Sequence, residues 1–300
     1  MSFTVRSFDA PLTRDQVCVS LSSHFNRLSH ADAAVEAAAA QTWKDLQRQS
    51  PQLFNASKFR LARWQQLNGP QERLRLDWGV TDYATYLGTC CSPLAPQLLK
   101  DGQQLKGDPF AYLSRKVGVA AVLETSDAHV ALIKRSKRVG LYQDLYDTPG
   151  GHPEPSHINL TMEALQALGQ PDQETKRREF EEKARDEFFR SIGNEVHEEV
   201  NLAPQHQADP LLLGVVLQSD ACTPSFSFSV KTSCTAEELC ELYRAGPSDK
   251  FESVKLELLE ADSLLASESS PLDALKLTPS AQGTLGLWKK HTLHARQNRI

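Results

Sequence analysis

Ala184, Phe188, Ile192, Val196 and Val200 recur every four residues. That spacing makes one apolar stripe on an α-helix, and a stripe of this kind must lie against a core. A helix is therefore predicted over 183–200. Three carboxylates lie off the stripe. Glu195 and Glu199 are four apart and Glu198 is three from Glu195, so they project over neighbouring turns near one edge. Like charges so placed cost ~0.2–0.5 kcal/mol per pair, and the dipole at a helix C-terminus also opposes anions. A divalent cation would offset the repulsion. Oxygen-only ligands suit Mg²⁺, with Mn²⁺ as a substitute. The plainer reading is a solvated acidic face.

Strand-like runs surround this helix: VGVAAVLET, HVALIKR, LLLGVVLQ, SFSFSVKT and VKLELLE. They alternate with helical stretches near 183–200, 236–244 and 280–291, a mixture that reads as an α/β layered domain. Upstream, the alanine-rich stretch from Ser29 to about Gln49 forms a helix, with Ser29 or Asp32 as N-cap and Pro51 as its limit. KFRLARW and RLRLDWG flank Asn68-Gly69-Pro70 and form a hairpin. The polar run from Asp101 to Pro109 marks a boundary. The expected organisation is an N-terminal α+β subdomain over 1–114 and a second domain over 115–300. The polar, weakly periodic stretch over about 155–178 is expected to be a surface insertion in the second domain.

A formal charge of -5 gives no broad basic surface, so nucleic acid is not an expected partner and any phosphate site must be local. No basic stretch leads into an apolar run at the N-terminus, and nowhere do about 18 apolar residues run uninterrupted. The expectation is a soluble intracellular protein, cytoplasmic or nuclear, without a membrane or protein partner. Cys18, Cys90, Cys91, Cys222, Cys234 and Cys240 are too sparse for a disulfide framework and are read as reduced. Cys222, Cys234 and Ser280 are candidate nucleophiles, but the sequence places no activating histidine beside any of them.

The turn Asp147-Thr148-Pro149-Gly150-Gly151-His152-Pro153-Glu154 joins a strand to a loop, and paired glycines permit either positive φ or close approach to a ligand. Gly151 to Glu154, followed by Asn194 to Leu202, resembles the Nudix box GX5EX7REUXEEXGU, where U is apolar. Glu195, Val196, Glu198, Glu199 and Leu202 fall on its E, U, E, E and final U. The match departs from the pattern in three ways. Gly151 and Glu154 stand closer than the pattern's glycine and first glutamate, and 155–193 intervene before Asn194, an insertion whose closure entropy grows slowly with length. Asn194 replaces an arginine that steadies the glutamates. Asn201 replaces glycine, conservatively, because asparagine tolerates the left-handed conformation that ends a helix.

The resemblance to Nudix hydrolases extends from about Leu53 to Gly286. It is carried by LFNASKFRL (53–61), TDYATYLGT (81–89), VGVAAVL (117–123), KRS (134–136), DTPGGHPEP (147–155) and PSAQG (279–283), and is strongest to members acting on UDP-sugars. It implies a Nudix α/β/α sandwich with a mixed sheet and Mg²⁺-dependent hydrolysis of UDP-glucose, or a close UDP-hexose such as UDP-galactose, to UMP and sugar 1-phosphate. It also implies Glu195 and Glu199 as metal ligands, with Glu198 as a further ligand or general base. Phe54, Tyr83, Arg135, Gly140, Asp147, His152, Glu154 and Ser280 are implied at the substrate. Physically, Phe54 and Tyr83 could flank a uracil ring, Arg135 could bind a phosphate or base carbonyl, and Asp147 and Glu154 could accept sugar hydroxyls. Each has a plainer alternative: a core aromatic, a solvated cation or a turn residue. His152 reads equally as turn residue or phosphate donor. Two other readings stay open: action on another nucleoside diphosphate derivative such as ADP-ribose, and a degenerate domain that binds nucleotide sugar without turnover.

Overall fold

In the computed structural model, residues 3–67, 73–137, 142–218, 223–248, 253–266 and 271–298 are described. The chain opens with β1 (Phe3–Leu12), β2 (Val17–Leu21), α1 (Ala33–Gln49), β3 (Ser57–Leu67), β4 (Arg73–Asp82), α2 (Tyr83–Thr89) and α3 (Ala95–Lys106). It continues through β5 (Gly118–Glu124), β6 (His129–Arg135), the two-residue strands β7 (Tyr146–Asp147) and β8 (Gly150–Gly151), α4 (Met162–Ala167) and α5 (Glu174–Val200). Then follow β9 (Leu211–Gln218), β10 (Thr223–Lys231), α6 (Ala236–Ala245), β11 (Ser253–Glu260), α7 (Ala261–Leu265) and α8 (Pro279–Gln297).

The larger sheet runs β1-β9-β10-β5-β6-β11, with β7 beside β6 and β8 beside β5. β10 pairs with β5 in parallel and with β9 antiparallel, so the sheet is mixed. Its central strands β5, β9 and β10 are buried on both faces, which explains continuous apolar runs such as VGVAAVL rather than clean alternation. The α5 stripe packs on one face against Val119, Ala121, Phe226 and Phe228. On the other, Leu285, Leu287 and Trp288 of α8 pack against Val122, Leu132, Leu213 and Val216. This is the expected α/β/α sandwich.

The smaller sheet, β2-β4-β3, contains the expected hairpin, whose turn at Asn68-Gly69-Pro70 lies outside the described residues. Phe188 joins the sheets: its ring meets Trp78 of β4 edge-on at 5.4 Å, Phe226 at 5.1 Å and Phe228 at 5.2 Å. Main-chain bonds from Leu61 N–H to Arg115 and from Val117 N–H to Phe59, both 2.9 Å, cross the expected boundary at 114/115. β1, within the expected N-terminal unit, pairs with β9 in the larger sheet. The polar run expected to mark the boundary is instead helical as far as Lys106. Gly107 ends that helix in the left-handed conformation, at φ 67°.

Local chemistry explains the helix ends. Asp32 rather than Ser29 caps α1, accepting from Ala34 N–H at 2.8 Å. Asn201 takes φ 64°, ψ 26° beyond α5, as its replacement of glycine predicts. The insertion is not confined to the surface. A 3₁₀ turn over Pro155–Ile158 and α4 carry Ile158, Leu160, Leu165 and Leu168 into the main core, and α5 begins at Glu174, nine residues before the predicted start. No helix among the described residues is long and apolar enough to cross a membrane.

Candidate active site

Glu195 and Glu199 leave one edge of α5 and meet the Gly150–His152 loop. Gly150 N–H donates to Glu199 Oε2 at 2.9 Å, and His152 N–H donates to Glu195 Oε1 at 3.1 Å. The glycines serve close approach, not positive φ. A Cβ on Gly151 would sit 1.8 Å from Glu195 Oε1, and one on Gly150 would sit 2.5 Å from Val119 O. Glu199 is buried, at 2 % exposure. Glu198, on the same turn, is exposed. Backbone N–H groups of the loop thus contact the two glutamates where the family pattern has an arginine at position 194.

Around these carboxylates stands a group of cations. Lys116 Nζ touches His152 Nε2, and Lys58 Nζ contacts Glu154 Oε1. Arg135 reaches Asp147 at 3.5 Å. Burial, followed by the charge of Lys58, pushes the Lys116 ammonium down to about 7. Burial, then Lys116, Lys58 and Arg135, holds the His152 imidazole well below its ordinary value, so at neutral pH it is uncharged. Burial raises Asp147, an effect opposed by Arg135 and by the Thr278 hydroxyl, which donates to it at 2.8 Å. Against the plainer alternative of a solvated cation, Arg135 is partly buried, with 19 % of its side chain exposed.

Glu187 ties the loop to the helix. Fully buried on α5, it receives Glu154 N–H at 3.3 Å, His157 Nδ1 at 2.8 Å and Arg190 Nη2 at 2.6 Å. Tyr83 and Tyr86 of α2 lie on the other flank, their rings 6.1 Å apart and stacked, with Lys116 Nζ 4.7 Å from the Tyr86 ring centroid. Contacts therefore run unbroken from Tyr83 through Tyr86, Lys116 and His152 to Glu195. Phe54 lies 77 % exposed. Its neighbour Asn55 caps the start of the Tyr83 helix, accepting from Ala84 N–H at 2.8 Å, which places Phe54 at the rim. Ser280 lies in the first turn of α8, its hydroxyl 3.0 Å from Ser225 Oγ, and Thr278 links that turn to Asp147. Gly140 and Cys222 lie outside the described residues. Lys58, Lys116 and Glu187 were not singled out from sequence; the available signal was a charge at the edge of an apolar run, each with other charges one or two residues away.

The described residues include no group of three His, Cys, Asp or Glu side chains placed to hold a metal ion on their own. Two carboxylates, a glycine loop against them and cations facing them can hold a polyanion together with a shared divalent cation. Mg²⁺ is commonly bound in this way, by one or two carboxylates plus substrate phosphate oxygens and water.

The chain is thus a mixed-sheet α/β/α sandwich whose acidic helix edge is held on a glycine loop whose residues and flanks cations also contact, a combination suited to handling phosphates. No family model matches the chain. It is 33% identical to the mouse protein named uridine diphosphate glucose pyrophosphatase NUDT22, the alignment covering 93% of this chain and 87% of that one. The cattle protein of the same name is 34% identical over 93% of each chain. Nudix hydrolase 9 of Arabidopsis thaliana is 30% identical over 84% of this chain and 81% of its own. Among solved structures, a MutT protein from Methanosarcina mazei Go1 aligns with TM-score 0.36 and 12% identity, covering 60% of this chain and 94% of that one. The chain belongs to the Nudix hydrolase family.

Proposed function

We propose that this chain hydrolyses the diphosphate of UDP-glucose, or of a close UDP-hexose such as UDP-galactose, to UMP and sugar 1-phosphate. The observation that carries the reading is the Glu195–Glu199 pair against the Gly150–His152 loop, whose residues and flanks are contacted by Lys116, Lys58 and Arg135. The animal relatives above bear the UDP-glucose activity in their names. Glu195 and Glu199 would hold Mg²⁺, which when bound neutralises the diphosphate and makes its phosphorus more electrophilic.

The remaining work falls to the chain's own groups. Lys116 and Arg135 bind diphosphate oxygens with charge-assisted hydrogen bonds. His152, neutral and buried, takes part as a hydrogen-bonding partner rather than a second cation. Glu154 fixes Lys58 and, with Asp147, accepts sugar hydroxyls. Tyr83, with Phe54 at the rim, flanks the uracil, and Ser280 contacts the substrate from the start of α8. Glu198 takes the proton of the attacking water. A product assay tests the whole reading: purified protein is incubated with UDP-glucose, GDP-mannose and ADP-ribose, with and without Mg²⁺. Release of UMP and sugar 1-phosphate from UDP-glucose, dependent on the metal, is expected. Saturable binding without product would instead indicate a non-catalytic domain, and preferred cleavage of ADP-ribose would move the chain to another substrate.

Two variants test the pocket. UDP-glucose should be hydrolysed at least about tenfold more efficiently than ADP-glucose, because hydrogen bonds to a uracil edge are left unpaired by the wrong base. Tyr83→Ala should narrow that ratio by raising KM for UDP-glucose, and an unchanged ratio would place the base elsewhere. Lys116→Met should raise KM about tenfold or more through loss of a charge-assisted contact. In the parent, kcat/KM should decline as pH rises through about 7, where free Lys116 loses its proton. The variant should lack that limb.

Lys116 also bears on stability. Its folded pKa is depressed, so between about 7 and the ordinary lysine value the unfolded chain binds more protons. Stability from this group therefore rises with pH across that window and is lowest below it. Lys116→Met should accordingly raise the apoprotein's Tm at pH 6.5, by roughly 2–4 °C per kcal/mol relieved. A lowered Tm there would show that the ammonium is compensated in the fold.

A further inference from the structure

We infer that the protein has a second ligand site, sharing no lining residue with the site at the Glu195–Glu199 pair, which binds a small phosphate-bearing molecule with a flat ring, of the size of a nucleoside monophosphate. The site is a cleft of about 720 Å³ between the 3₁₀ turn at Ser23–Phe25, β3, and the segment from Lys106 to Arg115. That volume lies within the range of ordinary small-molecule pockets. Four cations line it: Arg60, Arg63, Lys106 and Arg115. Asp108 is the sole acidic side chain among the lining residues, and the chain as a whole carries -5. The positive charge is therefore concentrated here against the sign of the whole molecule.

Two of these cations are part of the protein interior. Arg60 is 2 % exposed and Arg115 3 %. Arg60 is locked by three backbone carbonyls: Nε donates to Leu113 at 2.8 Å, Nη1 to Phe25 at 2.6 Å and Nη2 to Phe110 at 2.6 Å. Carbonyl dipoles orient a guanidinium but do not neutralise it. Burial, followed by repulsion from Arg115, lowers the Arg60 guanidinium to about 10. Asp108 opposes that field, with one carboxylate oxygen engaged by Phe110 N–H at 2.9 Å. Arg63, at the mouth, pairs with Asp77 at 2.5 Å, a carboxylate it shares with Arg75, while Lys106 is exposed. An anion entering the cleft would meet fixed positive charge whose burial is already part of the fold.

The ring half of the ligand follows from the walls. The Arg115 guanidinium lies 3.8 Å from the Phe110 ring centroid, and Arg63 lies 5.8 Å from that of Phe25. Trp64 completes the lining. Arg115 and Phe110 cover each other's facing surfaces, which leaves the exposed Arg63 guanidinium and the Phe25 and Trp64 rings as surfaces of the kind on which bases stack. The site is separate from the first in that none of its lining residues is among those placed at the Glu195–Glu199 pair and its loop. Arg115 faces the cleft, whereas Lys116 contacts His152.

The indole N–H resonance of Trp64, assigned with Trp64→Phe, gives a local readout in the full chain. Titration with UMP should shift it saturably, both in the parent and in Glu199→Gln. The affinity should fall at least about tenfold in Lys106→Glu and further in Arg63→Gln/Lys106→Glu, through loss of charge-assisted contacts. Unchanged thermal transitions would certify the variants' folds. Absence of a saturable shift up to about 10 mM UMP, where even a weak site would fill, would overturn the inference. So would a shift unaffected by Lys106→Glu. Inorganic phosphate binding as tightly as UMP would overturn the nucleotide assignment. None of these outcomes depends on whether UDP-glucose is hydrolysed.

Discussion

Glutamine in place of Glu199 is expected to lower turnover by roughly a hundredfold or more, because it removes a charge from the pair proposed to hold the cation without changing its shape. The fold should survive. The amide oxygen can still accept from Gly150 N–H, which now donates to Oε2 at 2.9 Å, and removal of one charge relieves ~0.2–0.5 kcal/mol of repulsion per like-charge helix pair. Glu195→Gln should behave alike, since Glu195 Oε1 meets His152 N–H from the turn before. Glu198→Gln separates the roles: its exposed carboxylate is the assigned proton acceptor, so loss should fall on kcat and leave the Mg²⁺ dependence of KM unchanged. UMP release under saturating Mg²⁺, set beside thermal melts of each variant, provides the measurement. Parental turnover in both Glu195→Gln and Glu199→Gln, after removal of contaminating hydrolase, would mean that the pair does not hold the metal.

What could be read from sequence depended on the range over which each feature is determined. The stripe from Ala184 to Val200 and the cap at Asn201 are local, and both lie where their spacing predicts. Secondary structure in the buried strands follows likewise from continuous apolar runs. Lys116 and Lys58 were obscured for the opposite reason. Each is a cation at the start of an apolar run, with an arginine one or two residues away, and its partner stands 36 residues away in one case and 96 in the other. Nothing local distinguishes such a lysine from a solvated one. β1 escaped because FTVRSFDAPL alternates only weakly, and an edge strand gains its identity from its partner, here β9. The substitution at Asn194 was legible as a missing charge. That loop N–H groups would contact the glutamates instead could not be read, because backbone donors carry no sequence signature.

The segment from Ser156 to Glu174 shows how composition misleads, and its removal carries the largest expected cost to stability. Polar residues dominate it, and its apolar residues follow no single period, because Ile158 ends a 3₁₀ turn, Leu160 lies in a loop, and Leu165 and Leu168 belong to α4 and its cap. All four are nonetheless buried, at 7 %, 2 %, 0 % and 2 % exposure, and join the core that contains Phe188 and Trp78. At ~1.5–3 kcal/mol for each buried aliphatic side chain, their burial contributes roughly 6–12 kcal/mol. The net stability of a domain is about 5–15 kcal/mol, so little would remain. Excision would also remove His157 from the buried Glu187 carboxylate, leaving an ionised group in the core with one partner fewer. Replacing 156–174 with a short polar linker should therefore give a protein that aggregates or melts far below the parent. A milder variant, Leu165→Ala, should cost ~2–5 kcal/mol from lost burial and the cavity left behind. Thermal and denaturant unfolding of both report the result. A spliced chain that melts with the parent would show that the segment closes over the core without supporting it, and the Glu187 tether to Glu154 would then have to hold the Gly150–His152 loop alone.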